Sequence, residues 1–184
     1  MKEELDGIYS TPAIGGVRNK TVFDLDNVGP ASYGEFTQKG VDDLVKKFRG
    51  SFDENCVFYD LGSGLGKMVL HIGLKYNVRK SIGIEFSKER HEHAVNSKEK
   101  YAKENTNIQF FNESFFDHKP YDATVVYIDN SLHNSKLNKK MYDIIPNGCL
   151  ILCKKPIGKD HTIFEKIEGI ERTYEHHWVY WAIK

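Results

Sequence analysis

Short continuous runs of apolar residues alternate along the chain with longer stretches of helical spacing. The runs are rich in β-branched and aromatic residues, which is typical of buried strands. In chain order, the predicted strands are CVFYDL, SIGIEF, a segment within IQFFNESFF, ATVVYID and CLILCKKP. The stretches between them that predict helices are GKMVLHIGLKYN, SKERHEHAVNSKEKYAKEN and SKLNKKMYDII. This alternation predicts an α/β fold in which helices cover both faces of a parallel sheet.

The two ends of the chain have different patterns. Residues 1–31 carry glycine, proline and scattered charge without a sustained period, which predicts an irregular N-terminal arm. From Gly34 to Phe48, apolar residues fall three or four apart, as on one face of a helix. The final IERTYEHHWVYWAIK predicts two more strands joined by a turn. The expected fold is therefore a doubly wound, mostly parallel seven-stranded sheet with a C-terminal antiparallel hairpin, formed by one domain over residues 32–184.

Composition limits the classes of function. Lysine plus arginine and aspartate plus glutamate each number 26, so strong binding to nucleic acid is not expected from net charge. No apolar run is long enough to cross a bilayer, and MKEELDGIYS lacks the apolar core of a signal peptide. We therefore expect no membrane partner and an intracellular location, cytoplasmic or nuclear. The chain has three cysteines, Cys56, Cys149 and Cys153. Such a small, odd number does not indicate a disulfide framework or a metal site, so we expect all three to be free thiols in the core.

The stretch VFYDLGSGLGKMVLHIG raises the question of which ligand its glycine loop holds. A phosphate-binding P-loop requires glycine where Leu61 stands and serine or threonine where Met68 stands, so that motif fails at both ends. A dinucleotide loop requires Gly-x-Gly-x-x-Gly, and here the third glycine comes one residue early.

The third alternative is a loop that binds S-adenosylmethionine. Asp60 precedes glycines at alternate positions, Gly62, Gly64 and Gly66, where the backbone has to approach a ligand closely. The Asp60 carboxylate can accept hydrogen bonds from the ammonium group of the methionine part. Glu85 ends the next predicted strand, where a carboxylate can bind both ribose hydroxyls. Dehydrogenases share that last feature, so Glu85 alone does not separate the two classes.

Several short stretches, which follow one another in a fixed order, indicate a particular family of methyltransferases. They are ASYGEF, VFYDLGSGLGKMVL, VVYIDN, CKKP and WVYWAIK. This order resembles the catalytic core of the non-SET histone lysine methyltransferases, the family named for disruption of telomeric silencing. The resemblance runs from Ser32 to Lys184. It implies a class I, Rossmann-like methyltransferase domain that uses S-adenosyl-L-methionine to methylate a protein lysine, with a histone or nucleosome as the expected partner.

The resemblance also implies roles for individual residues. Tyr33 and Glu35 belong to a loop that closes over the methionine end of the cofactor, and Ser114 and Phe115 match a pair that meets the adenine. The full implied cofactor-binding set is Tyr33, Glu35, Asp60, Gly62, Ser63, Gly64, Gly66, Lys67, Glu85, Ser114, Phe115 and Asn130. The implied catalytic residues are Asn130, Tyr33 and Trp181. Asn130 matches an asparagine at the mouth of the lysine channel, and Tyr180 and Trp181 match an aromatic pair near it.

The chain departs from the family pattern at several positions. Lys67 stands where the family often has glutamine, and Ser114 where it usually has an acidic residue. Asp129 replaces a neutral residue, and residues 131–134 replace a more apolar stretch. The helical segment and basic tail that help nuclear members engage nucleosomes are expected to be missing.

The expected chemistry needs no dedicated base, because an aromatic channel lowers the pKa of a lysine amine by desolvation. The expected channel wall is Tyr33, Phe115 and Trp181, and the Asn130 carbonyl would orient the amine. Asp129 is an alternative base. His133 is close to the presumed mouth, whereas His91, His93, His176 and His177 are expected at the surface.

Two other functions remain open. One is a class I methyltransferase that acts on nucleic acid or a small molecule. The adenine and glutamine N-methyltransferases carry prolines after the fourth strand, and this chain has none there. The other is a methyltransferase-like binding module, against which the intact loop glycines and Glu85 argue.

Overall fold

The computed structural model describes residues 1–12, 35–131, 133–158, 162–173 and 178–184. The strands in this part of the chain are β1 (Val57–Leu61), β2 (Lys80–Ile84), β3 (Ile108–Phe111), β4 (Val125–Ile128), β5 (Leu150–Cys153), β6 (Glu165–Glu168) and β7 (Trp178–Ile183). The α-helices are α1 (Lys2–Ser10), α2 (Gln38–Lys47), α3 (Lys67–Lys75), α4 (Lys88–Tyr101) and α5 (Ser135–Ile144), and a 3-10 turn covers Arg49–Ser51. No helix among these is long and apolar enough to span a bilayer.

The described strands form one sheet in the order β3-β2-β1-β4-β5-β7-β6. β1 pairs in parallel with both β2 and β4, and β7 is antiparallel to both β5 and β6. The predicted mostly parallel sheet with a C-terminal antiparallel hairpin is confirmed. Leu61 is in register with Ile84 on one side and Ile128 on the other. The residues that follow these strands therefore meet at one edge of the sheet, where the strand order reverses and open α/β sheets bind ligands.

Side chains alternate along the strands into two core clusters, one on each face of the sheet. On one face, Phe58 and Tyr127 pack with apolar residues of α1, α2 and α3. On the other, Tyr59 and Val126 pack with Leu137 and other residues of α5. Helices thus cover both faces of the sheet, as the alternation of strands and helices predicts.

The helix starts depend on capping side chains. Helix α2 begins at Gln38, later than the apolar spacing predicts, because the Thr37 hydroxyl accepts a hydrogen bond from the Gly40 backbone N–H at 3.1 Å. Ser87 caps α4 as expected, and its hydroxyl accepts from the Arg90 N–H at 3.5 Å.

The N-terminal arm differs from its prediction where it is described. Residues 2–10 form α1, which packs against α3 and α4, instead of an irregular segment. Leu5 and Ile8 are buried in the same cluster as α2 and α3. The helix has only nine residues, which is too short for a sustained period to appear in the sequence. Residues 13–31 of the predicted arm lie outside the described residues.

The sixth strand also differs from its prediction. It lies at Glu165–Glu168, before the IERTYEHH stretch in which the sequence places it. Only Ile167 is buried there, and its three neighbours in the strand are exposed and charged. β6 is the outermost strand at this end of the described sheet, so it buries only Ile167, and the apolar alternation typical of a strand is missing.

Candidate functional site

The glycine loop after β1 adopts a backbone that other residues rarely take. Gly62, Gly64 and Gly66 have φ angles of 93°, 54° and 74°. A Cβ on Gly66 would lie 2.6 Å from the Phe110 ring, so this glycine is required by packing. A Cβ on Gly62 would meet nothing within 4 Å, although the loop backbone is held to β2 by a 2.8 Å bond from the Gly62 N–H to the Ile84 carbonyl. The loop therefore has open space at Gly62, and the backbone there is accessible to a ligand.

Glu85, at the end of β2, helps to shape this loop. One of its carboxylate oxygens accepts the Gly64 backbone N–H at 2.8 Å, and the other accepts the Ser87 N–H at 2.7 Å. Each oxygen keeps a second lone pair, so these bonds are compatible with additional hydroxyl donors. The expected contact with ribose stays a prediction, and the contact with the loop is a structural role that the sequence did not indicate.

A pocket opens beside the loop. Its lining residues are Glu35, Phe36, Asp60, Gly62, Ser63, Lys67, Met68, Tyr127 and Asp129. Three polar atoms of this lining are buried and have no hydrogen-bond partner among the residues that the structure describes, namely Glu35 Oε1, Asp60 Oδ1 and Ser63 Oγ. Buried polar atoms nearly always have a partner, so three of them around one opening indicate a ligand that offers hydrogen-bond donors.

Asp60 is a pocket residue whose acidity is strongly perturbed. Its side chain is 4% exposed, and burial, with the neighbouring Glu85 and Asp129 carboxylates, raises its pKa to about 8. Arg172 opposes this shift only partly. A cation placed against Asp60 would favour the ionised form. The site is therefore electrostatically suited to an ammonium group.

Lys67 and Glu35 form a buried ion pair at this pocket, with 2.6 Å between Nζ and Oε2. The same Nζ donates to the Thr11 carbonyl, also at 2.6 Å. Lys67 thus contacts Thr11 and Glu35, which lie on either side of residues 13–34, a segment outside the described residues.

Asp129 is paired rather than free. One of its oxygens accepts from the Arg172 guanidinium, and the other accepts from the backbone and hydroxyl of Ser131. Arg172 also donates to the Tyr127 hydroxyl at 2.8 Å and lies 4.5 Å from the centre of the Phe36 ring. The role of Asp129 as an alternative base does not fit these contacts.

Asn130 is fully buried, with 0% of its surface exposed. Its side-chain carbonyl accepts the backbone N–H groups of Lys154 and Lys155 at 3.0 and 2.8 Å. Its amide nitrogen donates to the Asn138 side chain and to the Lys155 carbonyl. The expected role, in which this carbonyl orients a substrate amine, does not agree with these contacts, because both acceptor positions are already used.

Trp181 is not among the described residues that line the pocket. Its ring packs 5.3 Å from Phe48, beside the end of α2, and Tyr180 packs in the core cluster on the opposite face of the sheet. These contacts do not support the expected place of Trp181 in a channel wall, which stays a prediction.

The remaining predicted residues have varied positions. Phe115 is buried in the core, 4.8 Å from the Phe116 ring, and the Ser114 hydroxyl accepts from the Phe116 backbone at 3.2 Å. Their contact with adenine stays a prediction. Tyr33 lies outside the described residues. His133 has a buried Nδ1 without a hydrogen-bond partner among the described residues, and burial lowers its pKa.

Sequence reasoning missed four residues around the pocket. Phe36, Met68 and Tyr127 supply apolar lining, and Arg172 lies behind Tyr127. Tyr127 was detectable because it lies two residues before Asp129, on the same face of the strand end. Arg172 carries no such signal. The three cysteines are buried and free, and no cluster of metal-ligating side chains occurs among the described residues.

Comparisons with known proteins concern the family and the fold of the chain. The sequence model of the family "Histone methylation protein DOT1" matches residues 18–176. The fold is similar to that of an RNA methyltransferase from Salinibacter ruber in complex with S-adenosyl-L-homocysteine, with a TM-score of 0.60 and 23% identity over 78% of this chain and 89% of that one. A methyltransferase from Geobacter sulfurreducens has a TM-score of 0.57 and 10% identity over 82% of this chain and 80% of that one.

A third similar structure is the S-adenosylmethionine-dependent methyltransferase of Thiobacillus denitrificans with S-adenosyl-L-homocysteine, with a TM-score of 0.53 and 18% identity. The similarity covers 64% of this chain and 48% of the Thiobacillus protein, so this chain spans about half the length of that relative. A comparison with curated protein sequences gives no match. At these identities the structures establish the fold, and the family match covers most of the sequence. The chain therefore belongs to the DOT1 histone methylation family and is an S-adenosylmethionine-dependent methyltransferase.

Proposed function

We propose that this protein transfers a methyl group from S-adenosylmethionine to the side-chain amine of a lysine, with a histone as the protein substrate. The observation that carries the proposal is the group of three unpartnered buried atoms, Glu35 Oε1, Asp60 Oδ1 and Ser63 Oγ, around the open space at Gly62. Membership of the DOT1 family supports a histone as the substrate. A histone substrate would also place the protein inside the cell, where chromatin is found.

The pocket residues fit the amino-acid end of this cofactor. Its ammonium group would satisfy the orphaned oxygens of Asp60 and Glu35, and Ser63 would meet its carboxylate or a water molecule. The open space at Gly62 would let the cofactor approach the loop backbone, and the spare lone pairs of Glu85 would accept its ribose hydroxyls. When bound, the cofactor supplies a methyl group on a positively charged sulfur, which requires no further activation.

The task left to the protein is to present the lysine as a neutral amine. With an ordinary pKa of about 10.4, removing the proton at pH 7.4 costs about 4 kcal/mol. An apolar wall lowers that pKa by desolvation. Phe36, Met68 and Tyr127 supply such a wall beside the loop. Burial keeps the pKa of Tyr127 well above its ordinary value, so its hydroxyl stays protonated and does not act as the base.

The decisive experiment is a set of parallel incubations with S-adenosylmethionine, using histone octamers, nucleosomes or total RNA as the acceptor. We expect mass spectrometry of the digested histones to reveal methylated lysine. Gly64→Arg serves as the inactive control, because its side chain would fill the ligand's volume at a glycine with positive φ.

Each arm has a distinct outcome. Methylated RNA without any methylated lysine would show that the substrate is a nucleic acid and would overturn the protein-substrate proposal. Absence of transfer in every arm, together with absence of cofactor binding in calorimetry, would indicate a binding module instead of an enzyme.

A further inference from the structure

Lys67, in the first turn of α3, is an unusual residue to bury. Only 7% of its side chain is exposed, and 11% of that of its partner Glu35. A buried ammonium is costly unless it is paired and hydrogen-bonded, and Lys67 has two acceptors at 2.6 Å, the Glu35 carboxylate and the Thr11 carbonyl. One nitrogen atom therefore joins three segments, which are the start of α3, the stretch before α2 and the residue that follows α1.

The ion pair fixes the orientation of Glu35. Lys67 uses only Oε2, whereas Oε1 is buried, has no partner in the described part of the chain and belongs to a residue that lines the pocket. The Glu35 backbone is held separately, since its carbonyl accepts the Thr173 N–H at 2.9 Å and its N–H donates to the Thr173 hydroxyl at 3.2 Å. With the backbone held by Thr173 and one oxygen held by Lys67, the second oxygen remains available to a ligand.

The position of the Thr11 carbonyl depends on α1. This helix ends at Ser10, one residue before Thr11. Leu5 and Ile8 anchor it in the core, and the Tyr9 hydroxyl lies 2.9 Å from His71 Nδ1 on α3. A shift of α1 would therefore remove one of the two acceptors of Lys67.

We propose that Lys67 is a positioning residue that couples the docking of α1 to cofactor binding, an inference that rests on the function proposed above. The cofactor's ammonium group fixes Glu35, Glu35 fixes Lys67, and Lys67 holds the end of α1 through Thr11. Such coupling is reciprocal, so binding strengthens the docking of α1, and weaker docking reduces affinity by the same factor. Lys67 itself does not touch the reacting atoms.

A double-mutant cycle tests this coupling in the full chain. Lys67→Met removes the charge and keeps the length of the side chain, and Ile8→Ala loosens α1 without touching the pocket. Calorimetry with S-adenosylhomocysteine should give about tenfold weaker binding for Lys67→Met. Ile8→Ala should weaken binding in the parent but not in the Lys67→Met background.

Hydrogen exchange provides a readout that a merely structural lysine would not change. In the parent, S-adenosylhomocysteine should slow amide exchange in residues 2–10, and in Lys67→Met this protection should disappear. Lys80→Met is the matched control. It removes a lysine that pairs with Asp122 at 2.7 Å, at the start of β2 and at the opposite edge of the sheet. It should leave both affinity and protection at the parent's values.

The outcomes separate this inference from the proposed function. Parent protein that binds S-adenosylhomocysteine without any change of exchange in residues 2–10 overturns the coupling, even if Lys67→Met fails to fold. Equal affinity of parent and Lys67→Met overturns it as well. If the parent protein does not bind S-adenosylhomocysteine, both proposals are overturned. If the ligand protects α1 from exchange but no histone is methylated, the coupling is supported and the proposed histone substrate is refuted.

Discussion

The side-chain oxygen of Asn130 lies 2.8 Å from the backbone nitrogen of Lys155. Asn130 comes two residues after β4 and Lys155 two residues after β5, so this bond joins the carboxyl ends of neighbouring strands beside the pocket. The same oxygen also accepts the N–H of Lys154. One amide thus fixes the backbone at the edge of the sheet where the site is formed.

Asn130→Ala should therefore destabilise the fold in addition to any effect on turnover. The substitution removes the acceptor of the buried Lys154 N–H and of the partly buried Lys155 N–H, and a buried donor left without a partner costs about 1–3 kcal/mol. We expect urea denaturation to give a free energy of unfolding lower by about 2–4 kcal/mol. Asn55→Ala, an exposed residue at the opposite edge, should match the parent. An unchanged transition midpoint for Asn130→Ala would contradict the structural role.

Two glycines of the loop should respond differently to alanine. Gly66→Ala places a methyl group against Phe110 and Ala94, so the main loss should be in stability. Gly62→Ala meets open space, and its positive φ costs about 1–3 kcal/mol. Its methyl group would project into the ligand's volume. The main loss for Gly62→Ala should therefore be in affinity for S-adenosylhomocysteine, with a smaller loss in stability.

Calorimetry and thermal denaturation of both glycine variants check this contrast. Gly62→Ala that binds as tightly as the parent would show that the ligand does not approach the loop there. Gly66→Ala that melts at the parent's temperature would show that Phe110 and Ala94 move aside.

Cofactor binding should depend on pH through Asp60. Because the pKa of Asp60 is raised to about 8, the free protein mostly holds this proton at pH 7. An ammonium ligand favours the ionised carboxylate, so binding releases a proton and affinity rises with pH up to that pKa. We expect up to about a tenfold gain per pH unit between pH 6 and 8.

Calorimetry in two buffers of different ionisation enthalpy measures the released proton directly. Asp60→Asn carries no titrating group, so its weaker binding should lose most of the pH dependence. Parent affinity that stays constant from pH 6 to 8 would exclude the coupling between Asp60 and the ligand.

Acid should weaken the docking of α1 through His71. Burial lowers the pKa of this fully buried histidine, although Asp42 partly opposes the shift. The folded state thus favours the neutral ring, and the stability it contributes is present above the unfolded pKa of about 6.5 and lost as pH falls through the folded pKa. His71 accepts from or donates to Tyr9, so the loss should include α1.

Urea unfolding of the parent at pH 7.5 and pH 5 checks this dependence. His71→Gln should lose less stability between the two pH values than the parent does. His93→Gln, on the exposed face of α4, is the control and should lose as much as the parent. Equal losses in all three proteins would assign the acid sensitivity to other groups.

Much of the fold could be predicted because each buried strand is a continuous apolar run. Parallel strands covered on both faces have little need for polar residues, so ATVVYID and CLILC are visible in the sequence. The glycine loop was predictable for a related reason. Its backbone needs positive φ at alternate positions, and only glycine meets that need easily.

The contacts that position the site were not predictable. Lys67 pairs with a backbone carbonyl, that of Thr11, and a carbonyl is present in every residue. Asn130 at a strand end resembles a ligand-facing residue, and only the structure reveals that its amide is used by Lys154 and Lys155. Trp181 is on a strand whose alternate residues point to opposite faces, and the sequence does not tell which face packs on Phe48.

The charged strand β6 has a consequence for the behaviour of the protein in concentrated solution. An outer strand presents unpaired backbone groups that a second copy could use to extend the sheet into a fibril. The outer strand β6 carries side chains of alternating charge, namely Glu165, Lys166 and Glu168. Its single apolar side chain is that of Ile167. Stacking another chain there would strip water from those charges, so β6 protects the molecule against edge-to-edge aggregation.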